Sequence, residues 1–142
     1  MQPNKYQISV IEDLRSFLTR WRLCNDASLA YREHWDNKGV AKMPPYNNAS
    51  HGVPQVCAKV PTAGGKTLIG ILAIKEILDA LERRRGEPRM CVWLVPSKTI
   101  RSQVLKGFST AGDSYWLTLR ETLGGSVSVL SKEQMLEGGG LF

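Results

Sequence analysis

The chain has 142 residues, about the length of one domain, and 42% of them are hydrophobic, which is enough to bury a core. No apolar run reaches the roughly 20 residues of a transmembrane helix and no signal-peptide pattern opens the chain, so we expect a cytoplasmic protein without a membrane segment. The net charge of +6 is compatible with a polyanionic partner, and the three dispersed cysteines fit neither a disulfide framework nor a zinc site.

The first element in chain order is an amphipathic helix, because apolar residues recur at helical spacing near the N-terminus. Its apolar stripe consists of Val10, Ile11, Leu14, Phe17, Leu18 and Trp21. Residues 25–54 are polar and interrupted by prolines and glycines. They predict a loop-rich connection with one helical turn around "SLAYREHW".

Strands and helices alternate in the rest of the chain. Short apolar runs predict buried strands at residues 55–60, 90–95 and 126–130. Periodic segments predict a buried helix from Thr67 to Arg85 with a basic last turn, a helix over "SKTIRSQVLKGF" capped by Ser97, and a helix within "YWLTLRETL". This order predicts an α/β fold in which a parallel sheet is covered by helices.

The stretch "VPTAGGKT", residues 60–67, carries the clearest chemistry. Glycines between a strand and a helix let backbone N–H groups converge on an anion, and the helix directs its positive end to the same place. In such a loop Lys66 would meet the β- and γ-phosphates of a nucleotide, and Thr67 would place its hydroxyl on Mg²⁺. A plain glycine-rich turn is the alternative, but the flanking elements favour nucleotide binding.

This loop resembles motif I of superfamily 2 DEAD/DEAH-like helicases, and most of all that of the helicase (Res) subunits of type III restriction enzymes. The general GxxxxGK[ST] pattern fails at Val60, as it often does in these proteins. The resemblance implies the N-terminal part of a RecA-like ATP-binding domain. The implied ATP-binding residues are Tyr6, Gln7, Val60, Pro61, Thr62, Ala63, Gly64, Gly65, Lys66 and Thr67.

The glutamine of "KYQ" occupies a setting in which the family reads the adenine edge. An amide offers a donor and an acceptor side by side, which suits that task for Gln7, and Tyr6 could pack beside the base. A helix-start glutamine that faces solvent is the alternative. The loop downstream favours the adenine role.

The stretch "VWLVPSKTIRSQ" resembles motif Ia, which lies against a nucleic-acid backbone in the family. Ser97, Lys98, Arg101 and Gln103 stand where a strand is predicted to end and a helix to begin. Hydroxyls, cations and helix-start N–H groups suit phosphate contacts, so we expect DNA binding that does not depend on sequence. An ordinary capped surface helix is the alternative.

The carboxylate pair of motif II, which holds Mg²⁺ and supports hydrolysis, has no match after the loop. We therefore expect an N-terminal piece of a larger ATP-driven motor that uses ATP and Mg²⁺ but does not hydrolyse ATP by itself. No complete catalytic set and no metal cluster of protein ligands is predicted. The expected partners are DNA, the remaining motor domain, and a modification or nuclease subunit. A small-molecule P-loop kinase and a non-catalytic adaptor or decoy fragment are the alternatives.

Overall fold

Six α-helices form the regular structure of the residues that the computed structural model describes, which are 1–48, 50, 52–81, 89–124 and 127–138. The helices are α1 (Lys5–Cys24), α2 (Ala27–Asn37), α3 (Lys66–Ala80), α4 (Lys98–Ser109), α5 (Ser114–Leu123) and α6 (Lys132–Leu136). They fall into two compact units, Pro3–Arg89 with α1 to α3, and Met1–Gln2 together with Met90–Phe142, with α4 to α6. Within the described ranges, no helix is both long and apolar enough to cross a bilayer.

The predicted α/β fold with a parallel sheet is wrong, because none of the described residues lies in a β-strand. Residues 55–60, 90–95 and 127–130 are irregular, and Ser126 of the third predicted strand lies outside the described residues. Val56, Val92 and Leu94 are 56%, 66% and 87% exposed rather than buried. A short apolar run becomes a strand only where another strand supplies ladder hydrogen bonds and a packed face, and the run itself guarantees neither.

Helix α1 is the centre of the first unit and packs against both α2 and α3. Its predicted amphipathic character is confirmed, since Ile11, Phe17 and Leu18 are buried. Phe17 and Leu18 share a core cluster with Ala30 of α2 and Ala80 of α3. The two alanines have small side chains, so α2 and α3 can approach the large side chains of α1 closely.

Helix α2 lies inside segment 25–54, for which we predicted a connection with only one helical turn. It has 11 residues and follows Asp26, whose carboxylate accepts hydrogen bonds from the N–H groups of Ser28 and Leu29 at 2.8 and 3.0 Å. An aspartate at this position satisfies donors that the first turn leaves open. The polar composition hid the helix because only Ala30 and His34 are buried in it.

Helix α3 begins at Lys66, directly after the glycine-rich loop, and ends at Ala80. Its predicted burial is confirmed for its first turns, where Leu68, Ile69 and Ile71 are buried, but the described residues contain no sheet for it to pack against and Ile77 is 42% exposed. The basic turn that we expected at Arg83 to Arg85 lies outside the described residues.

The second unit contains α4 and α5, which pack together. Both helices were predicted, and both are confirmed. Ser97 caps α4 by accepting a hydrogen bond from the N–H of Ile100 at 3.3 Å. Phe108 of α4 is buried, and Trp93 meets it edge-on with ring centroids 5.2 Å apart. Helix α6 was not predicted and has only five residues.

Candidate functional site

The loop before α3 turns tightly on its own backbone. The N–H of Gly64 donates to the carbonyl oxygen of Pro61 at 3.0 Å, and Ala63 and Gly65 both adopt left-handed conformations, with φ of 61° and 74°. Thr62 and Ala63 are exposed at the tip, while Val60 is half-buried at the base. Backbone of this kind, with left-handed residues before a helix, forms the concave arrangement of N–H groups that binds anions.

The two glycines of the loop have no room for a side chain. A Cβ on Gly64 would lie 2.8 Å from Cγ1 of Val60 and 2.9 Å from the carbonyl oxygen of Pro61. A Cβ on Gly65 would lie 2.2 Å from Nε2 of Gln7, and its left-handed φ also favours glycine. The loop is therefore bare backbone at these positions, which is the condition for close approach of a phosphate.

Lys66 and Thr67 are the first two residues of α3, and they follow a helix start that has no side-chain cap. The ammonium of Lys66 donates to the carbonyl oxygen of Pro61 at 2.9 Å, so it lies across the loop. Thr67 is half-buried beside it. A helix N-terminus without a cap leaves N–H groups for an external acceptor, and the dipole and the lysine both favour an anion there.

The first turn of α1 contacts the loop on both sides. Nε2 of Gln7 donates to the carbonyl oxygen of Gly64 at 3.1 Å, and the hydroxyl of Tyr6 donates to the carbonyl oxygen of Lys59 at 3.2 Å. The structure thus places Tyr6 and Gln7 beside the glycine-rich loop, with which the family resemblance associates them. Their role toward adenine stays a prediction.

Sequence reasoning missed Asn4, which fixes the side chain of Gln7. The two residues form a capping box: the N–H of Asn4 donates to Oε1 of Gln7, and the N–H of Gln7 donates to Oδ1 of Asn4, both at 2.9 Å. The spacing N-x-x-Q ahead of an apolar stripe was a signal that could have revealed it.

A second candidate surface, in the other unit, is the exposed start of α4. The residues that we predicted to contact DNA, Ser97, Lys98, Arg101 and Gln103, are all exposed. Ser97 uses its oxygen to accept the N–H of Ile100, so its own hydroxyl proton remains available to a phosphate oxygen.

Arg101 has an acidic partner that the sequence did not reveal. Its Nη1 lies 3.2 Å from Oε1 of Glu133 on α6. The pKa of Glu133 is lowered, first by a hydrogen bond from its own backbone, then by hydrogen bonds from Ser131 and Arg101. The two residues of this ion pair are 32 positions apart, so no local pattern could predict it.

A glycine-rich loop that leads into a helix beginning with lysine and threonine resembles the end of a P-loop, although residues 55–60 before it form no strand. The family model described as "Type III restriction enzyme, res subunit" matches residues 1–135, so the chain belongs to this family, as its sequence motifs led us to expect. Membership implies a helicase-type function that depends on ATP and involves DNA. Neither the curated proteins nor the solved structures gave a significant match.

Proposed function

We propose that residues 60–67 bind ATP with Mg²⁺, and that the chain contributes this site and a DNA-backbone contact to an ATP-driven DNA translocase or helicase of a restriction system. The observation that carries the proposal is the position of the Lys66 ammonium across a loop of bare backbone at the start of α3. Family membership supports the same function.

Lys66 supplies the cation for the phosphates. Its ammonium now donates to the neutral carbonyl of Pro61, and a charged phosphate oxygen is a much stronger acceptor than a carbonyl. Replacement of the Pro61 carbonyl by a phosphate oxygen as the acceptor of the Lys66 ammonium therefore favours nucleotide binding. The side chain is exposed, so this exchange does not require any part of the core to open.

Thr67 is the residue of this loop that would hold Mg²⁺, through its hydroxyl. A Mg²⁺ ion held there would supply positive charge to offset the charge of the phosphates. Gly64 and Gly65 fit a phosphate group at this loop, since both positions are bare backbone: a side chain would collide with Val60 and Pro61 at Gly64, and with the Gln7 amide of α1 at Gly65.

The start of α4 is the part of the chain that we assign to the DNA backbone. Its cations and hydroxyl are exposed, and contacts of this type recognise phosphate rather than base sequence. The partners in this proposal are DNA, a further motor domain, and a modification or nuclease subunit, in the cytoplasm.

The test is calorimetric titration of the chain with ATP and Mg²⁺, with Lys66→Ala as the variant. A charge-assisted contact contributes about 1.5–3 kcal/mol, so the affinity should fall roughly ten- to a hundredfold. Lys59→Ala is the matched control, because it removes one positive charge beside the loop and leaves its backbone carbonyl in place. Equal ATP affinity in wild type and Lys66→Ala, or an equal loss in both variants, would contradict the proposal.

A further inference from the structure

We propose that Tyr46 is a positioning residue for the glycine-rich loop, because it fixes the segment through which the chain enters that loop. The inference rests on the proposed function, since it concerns how residues 60–67 are prepared for a phosphate ligand. It assigns a role to part of the polar connection between α2 and α3.

The hydroxyl group of Tyr46 binds both backbone polar groups of Gln55. It accepts a hydrogen bond from the N–H of Gln55 and donates one to the carbonyl oxygen of the same residue, the latter at 3.0 Å. A tyrosine hydroxyl acts as donor and acceptor at once, so one side chain fixes both groups. Nearby, the side chain of Asn48 donates to the carbonyl oxygen of Val53 at 2.7 Å. Residues 46–55 therefore form a closed turn whose two ends are joined by Tyr46.

The ring of Tyr46 is itself held by the core of the first unit. Its centroid lies 5.4 Å from that of Tyr31 on α2 and 6.2 Å from that of Phe17 on α1. Phe17 is only 4% exposed, and Tyr46 packs against the core cluster to which Phe17 belongs. The packing of α1 and α2 thus determines where the hydroxyl lies, and Gln55 is tied to that position.

The segment that enters the loop, residues 55–59, is not fixed by burial of its side chains. The structure describes all five of these residues, and each of them is exposed and lies outside any helix or strand. The next residue is Val60, whose Cγ1 is so near Gly64 that a Cβ added there would lie 2.8 Å from it. A displacement of residues 55–59 would therefore reach the turn of the loop through Val60.

Tyr46 contributes to the order of the loop before a ligand arrives. A loop that is already ordered loses less conformational freedom on binding, so its ligand binds more tightly. The two hydrogen bonds to Gln55 supply such order from the N-terminal side of the loop. This contribution does not depend on the base, so every polyphosphate ligand should respond to its loss by a similar factor.

The experiment is calorimetric titration of the full chain with inorganic tripolyphosphate and with ATP, each with Mg²⁺. Tyr46→Phe is the variant, because it keeps the ring against Phe17 and Tyr31 and removes only the hydroxyl. The loss of this hydrogen-bonding group should weaken the binding of both ligands by about three- to tenfold. Hydrogen exchange of the unliganded variant should also be faster at the backbone amides of residues 60–67.

Tyr31→Phe is the matched control. It removes a hydroxyl from a neighbouring ring of the same aromatic cluster and leaves both hydrogen bonds of Tyr46 in place. This variant should keep the wild-type affinity for both ligands and the wild-type exchange rates of residues 60–67.

A merely structural role of Tyr46 would lower the free energy of unfolding and leave the affinity of the folded chain unchanged. Wild-type affinity in Tyr46→Phe, an equal loss in Tyr31→Phe, or a loss confined to ATP would therefore overturn the inference and leave the proposed function intact. A wild-type chain that binds neither ligand would overturn the proposed function, and the inference with it.

Discussion

Arg15 of α1 and Glu76 of α3 face each other through two parallel hydrogen bonds of 2.8 Å, from Nε to Oε2 and from Nη2 to Oε1. The side chain of Glu76 is 12% exposed and that of Arg15 60%. This two-contact geometry is the most favourable one for an arginine and a carboxylate. This ion pair joins α1, which contacts the glycine-rich loop, to α3, which follows that loop.

Glu76→Gln should destabilise the chain by up to about 1 kcal/mol, because the pair has good geometry but its arginine is exposed to solvent. The measurement is urea unfolding at neutral pH. The exposed pair of Lys75 and Asp79, on the same helix at i and i+4, offers the control. Lys75→Gln should lower the free energy of unfolding less than Glu76→Gln does. An equal loss would mean that the two-contact geometry of Arg15 and Glu76 contributes nothing further to stability.

The same ion pair predicts an acid-dependent loss of stability. The pKa of Glu76 is lowered from its ordinary 4.5, mainly by the hydrogen bond from Arg15. A carboxylate with a lowered pKa in the folded state stabilises fully above its unfolded value, and this contribution is lost as the pH falls through the folded pKa. Glu76→Gln should therefore differ from wild type at pH 7 and approach it well below pH 4.5.

His34 predicts a second pH dependence, in a higher range. It lies on α2, is 5% exposed and faces α1, with Nδ1 3.3 Å from Oγ of Ser16. Burial lowers its pKa from 6.5 most strongly, and Lys38 and Arg20 lower it further while Asp13 raises it. The unfolded chain then binds the proton more readily, so the free energy of unfolding should decrease as the pH falls below about 6.5.

Denaturant unfolding between pH 7.5 and 5 checks this expectation, with His34→Gln as the variant. The variant loses the edge contact of the ring with Trp35 and should be less stable at every pH. Its stability should nevertheless vary less over this range than that of wild type. An unchanged slope in His34→Gln would assign the pH dependence to other groups.

Gly65→Ala should disturb both stability and phosphate binding. The left-handed φ of 74° strains any side chain, and the new Cβ would displace the amide of Gln7 from the loop. We expect a loss of roughly 1–3 kcal/mol in stability together with weaker tripolyphosphate binding. Gly39→Ala is the matched control, since Gly39 has a φ of 69° but no atom within 4 Å of the added Cβ. Equal losses in Gly65→Ala and Gly39→Ala would mean that backbone strain alone explains the loss of stability.

Lys98 and Arg101 should dominate the salt dependence of DNA binding. Neutralisation of three or four phosphates predicts a slope of about −3 in log K against log salt concentration. Replacement of both residues by alanine should flatten this slope by about one to two units, as measured by fluorescence anisotropy with a random-sequence duplex. Binding that ignores salt, or a double variant with the wild-type slope, would contradict the assignment of the α4 start.

Under the proposed DNA contact of α4, Glu133 would compete with DNA for the guanidinium of Arg101, since the two side chains form an exposed ion pair. Glu133→Gln should therefore raise DNA affinity at low salt by about two- to fivefold, an effect that shrinks as salt increases. Glu137→Gln is the control, because it changes the net charge equally but leaves the ion pair of Arg101 and Glu133 in place. A smaller gain in DNA affinity for Glu137→Gln would show that the release of Arg101, and not the change in net charge, causes the effect.

Local sequence patterns predict α1, α3, α4 and α5 and suggest a phosphate-binding role for the loop, but they miss the extent of α2 and all of α6. The apolar stripe of α1 and the cap at Ser97 were both predictable, because periodicity and capping act within a few residues. The family also followed from the residues, since "VPTAGGKT" and "VPSKTIRSQ" are local motifs.

Which segments meet depends on how the helices pack. The apolar runs at residues 55–60 and 90–95 predict strands, yet both segments are irregular, because strand formation depends on a partner strand that the run does not contain. The hydrogen bond from Gln7 to Gly64 spans 57 positions, and the ion pair of Arg101 and Glu133 spans 32. Contacts over such distances depend on how the helices pack, and no property of either residue alone specifies them.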